Sequence, residues 1–308
     1  MSLPVLIDCD PGIDDAAAIL MALAAPGLEV LGITTVAGNA DLDQVTRNAL
    51  ALSALAGRRV PVAAGAEKPL VRERRSGSHI HGQNGLGGVE LPEPGYGPDP
   101  RPAATFIRDL ALGTEEGVDL VCLAPLTNIA LALSACPDLA RGPIRRIHMM
   151  GGSAGPGNAT PAAEFNIYAD PQAAAAVFMA GIPITMCGLD VTNKALLGEV
   201  EITALRRVGK VGSTLADMLG FYLAAYRNFG RQALALHDAV PVAALLEPGV
   251  VATKACHVEV ETEDERSLGK TIVDQAGAQG REPNADLALG LDYGLFMGTV
   301  TSLIGSLG

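Results

Sequence analysis

Basic residues are scarce in this chain. Its 308 residues include 22 lysines and arginines against 34 aspartates and glutamates, a net charge of −12, and aromatics make up only 4%. No basic patch interleaved with aromatics occurs, so a nucleic-acid backbone, which demands clustered cations, is excluded as the expected partner. Cysteine is sparse as well. Cys9, Cys122, Cys136, Cys187 and Cys256 are scattered and odd in number, with no C-x-x-C pair. That argues against a disulfide framework or a zinc site and favours a reducing compartment. No apolar stretch approaches the ~18 residues of a membrane span. Met1 to Asp8 carries neither a basic n-region nor a full apolar h-region, so no signal peptide is expected and a cytoplasmic location is. Internal repeats and low-complexity tracts are also missing.

What is present is apolar material, 49% of residues, enough for a sizeable core. Short β-branched runs at Pro4–Ile7, Glu29–Val36, Val60–Ala63, Asp119–Ala124, Arg146–Met150 and Ile182–Cys187 read as strands. Helical patterns lie between them at Asp14–Ala24, Leu42–Ala56, Ala103–Glu115, Leu126–Ala135 and Pro171–Ala180. This alternation predicts an α/β fold: an open, mainly parallel sheet flanked by helices, Rossmann-like. The second half is less regular. Thr203–Phe229 reads as one or two helices, His257–Glu261, Lys270–Val273 and Asp286–Leu291 as a small additional β element, and Asp292–Leu307 as a closing helix. No linker or charge block divides the chain, so one domain is expected over 1–308. Residues 66–101 have little periodicity and many glycines, prolines and histidines, including His79 and His81. A loop of that length is usually functional or disordered, and its glycines suit a lid.

The most informative segment is Asp8-Cys9-Asp10-Pro11-Gly12-Ile13-Asp14-Asp15, which ends the first strand. Asp at a helix N-terminus explains one or two of its acids. It does not explain four, because crowded carboxylates repel unless a cation or a shared proton compensates them. The turn therefore reads as a hard-cation site at the mouth of an open sheet. Further polar clusters fall where strands end or shortly beyond: Asn39, Leu126-Thr127-Asn128, Met150-Gly151-Gly152, Gly157-Asn158-Ala159-Thr160 and Glu164-Phe165-Asn166. His237-Asp238 precedes another apolar segment. In a parallel sheet these clusters can share one edge with Asp10 and Asp15.

The opening motif, with Gly38-Asn39, His81-Gly82, Gly85-Leu86-Gly87, Leu126-Thr127-Asn128, Asp170-Pro171 and His237-Asp238-Ala239 following in order, resembles the inosine/uridine-preferring nucleoside hydrolases. The resemblance implies hydrolysis of the N-glycosidic bond of ribonucleosides to ribose and free base. It implies a Ca²⁺ held by Asp10, Asp15, Asp238 and the backbone carbonyl of Thr127, an all-oxygen set that suits this cation. Asp10 would also be the general base toward a metal-activated water, and His237 the acid that protonates the leaving base. Asp14, Asn39, Met150, Asn158, Glu164, Asn166 and Asp238 would hold the nucleoside, chiefly its ribose. His81 and Tyr226, with Tyr222, would surround the base. Asp8 is expected to brace the loop, and a homodimer or homotetramer is implied. Two rival readings are a haloacid-dehalogenase-type phosphatase, suggested by Asp8-Cys9-Asp10 but lacking Thr or Val at position 12, and a non-catalytic Ca²⁺-dependent nucleoside- or sugar-binding protein. Purine or pyrimidine preference stays open.

Overall fold

The computed structural model describes residues 2–75, 77, 81–228 and 230–308; His79 lies outside them. Its frame is a nine-stranded sheet. The first half supplies β1 (Leu3–Cys9), β2 (Leu28–Thr35), β3 (Val62–Ala64), β4 (Val118–Cys122), β5 (Ile144–Met150) and β6 (Ile184–Cys187). They lie in the order β3-β2-β1-β4-β5-β6, every pair parallel. The chain thus runs outward from β1 in one direction and then restarts beside it with β4. Ligands of open α/β sheets bind at such a switch point, outside the strands' C-terminal ends.

The connecting helices are α1 (Ile13–Ala24), α2 (Leu42–Leu55), α3 (Ala103–Gly113), α4 (Thr127–Ala135), α5 (Phe165–Ala169) and α6 (Pro171–Phe178). Strand residues alternate between two cores. Ile7, Cys9, Val121 and Leu123 join α1 and α2, whereas Leu6, Leu120 and Cys122 join α3, α4 and α6. The period of two assigns the cores to opposite faces. Helix α1 is buried from Ile13 through Leu23, which explains its alanine-rich, almost uncharged sequence.

In the C-terminal half the additional β element joins the main sheet. Its strands β9 (Val251–Val260), β10 (Thr271–Asp274) and β11 (Ala285–Leu291) extend the main sheet. β11 pairs parallel with β6, and β9 pairs antiparallel with both β11 and β10. A separate two-stranded ladder, β7 (Leu196–Leu197) with β8 (Leu234–Ala235), was not foreseen. The 203–229 pattern resolves into α8 (Glu199–Arg206) and α9 (Lys210–Asn228), broken where Gly209 takes φ +125°. Short α7 (Leu189–Thr192) follows β6, α10 (Ala239–Leu246) follows His237-Asp238, and α11 (Tyr293–Ser306) closes the fold with Asp292 accepting from the Leu295 N–H. Among the described residues no helix is long and apolar enough to cross a membrane.

Candidate active site

The β1–α1 turn is built by its own carboxylates. Asp15 sits in the first turn of α1, where amides lack intrahelical partners. Its Oδ2 accepts from the Gly12 N–H at 2.9 Å and its Oδ1 from the Asp10 N–H at 3.2 Å. Asp10 faces the end of β2: Oδ2 accepts from the Asn39 N–H at 2.7 Å and Oδ1 from Asn39 Nδ2 at 3.2 Å. The same Nδ2 reaches Asp15 Oδ2 at 3.0 Å, so one amide bridges two carboxylates. Gly38 makes this approach possible. A Cβ there would stand 2.0 Å from Asp10 Oδ2.

Asp14, Asp15 and Asp238 are buried, and each offers an oxygen within 4.8 Å of the others. Asp10 lies beside this trio and points at Asn39. Burial, then the charges of neighbouring aspartates, raises the carboxyls of Asp10 and Asp238 well above the usual range. The same causes lift Asp14 to about 8. Its Oδ1 is buried and accepts no hydrogen bond among the described residues. Buried like charges with an unsatisfied oxygen are the environment in which a divalent cation binds favourably, and the all-carboxylate donor set suits a hard one.

Asp8 stands apart and ties the end of β1 to β2 and to the start of α4. Its Oδ1 accepts from the Thr34 hydroxyl at 2.6 Å and from Asn128 Nδ2 at 2.8 Å, and burial pushes its carboxyl up to about 7. Asn128 also donates to the Thr35 carbonyl and accepts from the Ala66 N–H. Thr127, the first residue of α4, spends its hydroxyl on Asp170 Oδ2 at 2.7 Å.

Above the acids opens a cavity of about 580 Å³ lined by Asp14, Asn39, Met150, Glu164, Asn166 and Asp238, among others. Glu164 caps α5, taking the Asn166 N–H at 2.9 Å on one oxygen and the Gly152 and Ile167 N–H groups at 2.9 and 3.2 Å on the other. Asn166 donates to the carbonyls of Leu123 and Met150 at 2.9 and 3.2 Å, joining the ends of β4 and β5. Asn158 is exposed at the rim and accepts from the Phe165 N–H.

The other end of the cavity is aromatic. Tyr222 and Tyr226, one turn apart on α9, meet edge to face with centroids 4.9 Å apart, and the His81 ring lies 5.2 Å from Tyr222. His81 Nδ1 accepts from the Ile13 N–H at 3.1 Å and stands 4.0 Å from Asp14 Oδ1. The helix amide thereby assigns the proton of a neutral ring to Nε2. His237 Nδ1 pairs with the Thr192 hydroxyl at 2.8 Å. Burial, then the charge of Arg231, lowers His237 to about 4, so its resting imidazole is neutral at pH 7.

The fold thus brings Asp14, Asn39, His81, Met150, Asn158, Glu164, Asn166, Tyr226, His237 and Asp238 to one cavity, with Tyr222. Asp10, Asp15 and Thr127 lie outside its lining. Sequence reasoning missed Arg75, Tyr168 and Arg231, which line the cavity, and Thr192. None belongs to a strand-end motif. Gly230, a helix-stop signal, is the one pointer that could have located Arg231.

A family model described as inosine-uridine preferring nucleoside hydrolase matches residues 5–298. Over 304 residues the chain is 44% identical to the non-specific ribonucleoside hydrolase RihC of Escherichia fergusonii, with 99% of each covered. Two solved structures share the whole fold. The purine-preferring ribonucleoside hydrolase from Gardnerella vaginalis matches with a TM-score of 0.93 at 34% identity, covering 99% of this chain and 98% of that one. A plant nucleoside hydrolase matches with a TM-score of 0.91 at 30% identity, covering 99% of each. With a family model spanning nearly its full length and a relative this similar end to end, the chain belongs to the inosine-uridine preferring nucleoside hydrolase family.

Proposed function

We propose that this chain, acting as one domain over 1–308, hydrolyses the N-glycosidic bond of ribonucleosides to ribose and free base in a Ca²⁺-dependent reaction. One observation carries the reading: the buried Asp14 and Asp238 line one cavity with Asn39, Glu164 and Asn166, side chains suited to the hydroxyls of a pentose, and the Asp15 carboxylate stands within 4.8 Å of both aspartates. Asp10, Asp15, Asp238 and the Thr127 carbonyl would hold the cation. Asp14, the third member of the tight trio, would face both the cation and a ribose hydroxyl. When bound, Ca²⁺ offsets the mutual repulsion of the aspartates and acidifies a nearby water.

The chain's own groups supply the remainder. Asp10 accepts the proton of the attacking water as the oxygen bonds to the anomeric carbon. The Asn39 N–H holds its orientation. Asn39, Asn158, Glu164 and Asn166 grip the ribose, and carboxylates beside the anomeric carbon favour its oxocarbenium-like positive charge. The glycosidic electron pair leaves with the base. His237, neutral at rest, takes up a proton from solvent as negative charge accumulating on the base raises its proton affinity, then passes that proton to the base nitrogen and returns to the neutral imidazole. His81, Tyr222 and Tyr226 form the base pocket, beside Met150. The proposal includes a homodimer or homotetramer in the cytoplasm, the first of which size-exclusion chromatography with light scattering tests.

The test is a panel of inosine, adenosine, guanosine, uridine and cytidine assayed for free ribose, with calcium and after chelation. Ribose release that disappears on chelation and returns with calcium is expected. Elemental analysis should find calcium near one per chain. No release from any member, or binding without turnover, would overturn the reading in favour of a nucleoside-binding protein. Phosphate release from p-nitrophenyl phosphate would favour a phosphatase.

A further inference from the structure

Beyond these assignments, Arg231 is a cation in the cavity that the reaction has not used. Its position follows from how α9 ends. Gly230, at φ +76°, donates its N–H to the Arg227 carbonyl at 2.9 Å, and Arg231 donates to the Tyr226 carbonyl at 3.2 Å. These two bonds are the Schellman pattern, which folds the residue after the glycine back over the last turn of the helix. The Arg231 guanidinium accordingly lies 5.7 Å from the centroid of the Tyr226 ring. Its charge is also felt at His237. It forms no ion pair with any described carboxylate, although the chain carries a net charge of −12. The backbone turn and the aromatic face thus place Arg231 at this end of the cavity, with donors that no described carboxylate occupies.

We propose that Arg231 is a catalytic residue that donates a hydrogen bond to the carbonyl oxygen of the departing base and so stabilises the base as an anion. The inference rests on the nucleoside hydrolase reading. As the C1′–N bond breaks, its electron pair passes to the base and delocalises onto the ring carbonyl, O2 of a pyrimidine or O6 of hypoxanthine and guanine. A guanidinium cannot give up its proton in this range. Arg231 thus contributes charge stabilisation, which is distinct from the proton transfer assigned to His237. The interaction strengthens as charge develops, so it acts on kcat more than on KM.

The experiment compares wild type with Arg231→Gln and Arg231→Lys on uridine and 5-fluorouridine, whose fluorinated base leaves more readily as an anion. Arg231→Gln should lower kcat on uridine by roughly 10–100-fold, below the usual range for a buried oxyanion donor because this side chain is exposed. KM should change less than about threefold, the loss on 5-fluorouridine should be at least about threefold smaller, and Lys should restore part of the rate. Equal losses on both substrates, a change confined to KM, or no loss would overturn the inference. A wild type inactive on every nucleoside would instead overturn the functional reading beneath it. Thermal unfolding of the calcium-loaded variants checks that the fold is retained.

Discussion

The two ends of the cavity are held in different ways. At the ribose end, Asp10, Asp15, Glu164 and Asn166 are fastened to backbone. The Asn39 N–H holds Asp10, the Gly12 and Asp10 amides hold Asp15, and three amides hold Glu164. Asn166 spans the carbonyls of two adjacent strands. At the base end, rings lie against rings: His81 on Tyr222, Tyr222 on Tyr226, Arg231 over Tyr226. These groups come from the 66–101 loop and from the end of α9. Backbone bonds within strand ends and helix caps have few alternatives, whereas ring contacts tolerate substitution and rotation. One end is therefore suited to a constant pentose and the other to a changing base.

The contrast can be broken most severely at its rigid end. Asp10→Ala should reduce turnover by ~10²–10⁴-fold or more on every nucleoside alike, because it removes a base and a cation ligand together. A ribose-release assay retaining more than about a tenth of wild-type activity would refute the base assignment. His237→Ala probes the adaptable end. It should slow inosine or uridine by ~10²–10⁴-fold yet affect p-nitrophenyl riboside far less, since nitrophenolate leaves without protonation. Equal losses on the two substrates would mean that His237 braces Asp238. The sugar itself gives the smallest of these effects. A 2′-deoxynucleoside leaves Asp14 and Asn166 short of partners at ~1–3 kcal/mol each, so rates on deoxyuridine should fall roughly a hundredfold from uridine. Comparable rates would place the ribose grip elsewhere.

The same contrast marks what could be read from residues alone. Strands β1, β2, β4, β5 and β6 announce themselves through apolar, β-branched runs, and β1, β2, β4 and β5 run into polar motifs at the shared edge. The acidic turn was legible because four carboxylates in one loop have no cheaper explanation than a cation. β9 was harder. It begins at Val251 whereas the pattern pointed to His257, and residues 252–255 are exposed with no alternation to betray a strand. The pairing of β11 beside β6 is a long-range choice that no local pattern encodes. Thr192 and Arg231 escaped for the same reason: α7 and the α9 cap carry them to the site from segments with no motif. Even at the acidic turn, the sequence could not say that Asp14 joins Asp15 and Asp238 while Asp10 turns toward Asn39.

The long 66–101 segment starts and finishes at nearly the same point. The Ala66 carbonyl accepts from Ala37 and its N–H donates to Asn128, while Asp99 donates to the Val62 carbonyl and bridges Ala63. Both attachment points therefore sit on or just after β3, and the sheet does not depend on the length of chain between them. Since loop-closure entropy rises only by about 0.6 kcal/mol per doubling of length, the chain between these posts can vary in length at little entropic cost. What it must keep is its tie to the acidic turn, where His81 Nδ1 accepts from the Ile13 N–H and Gly77 donates to the Gly38 carbonyl.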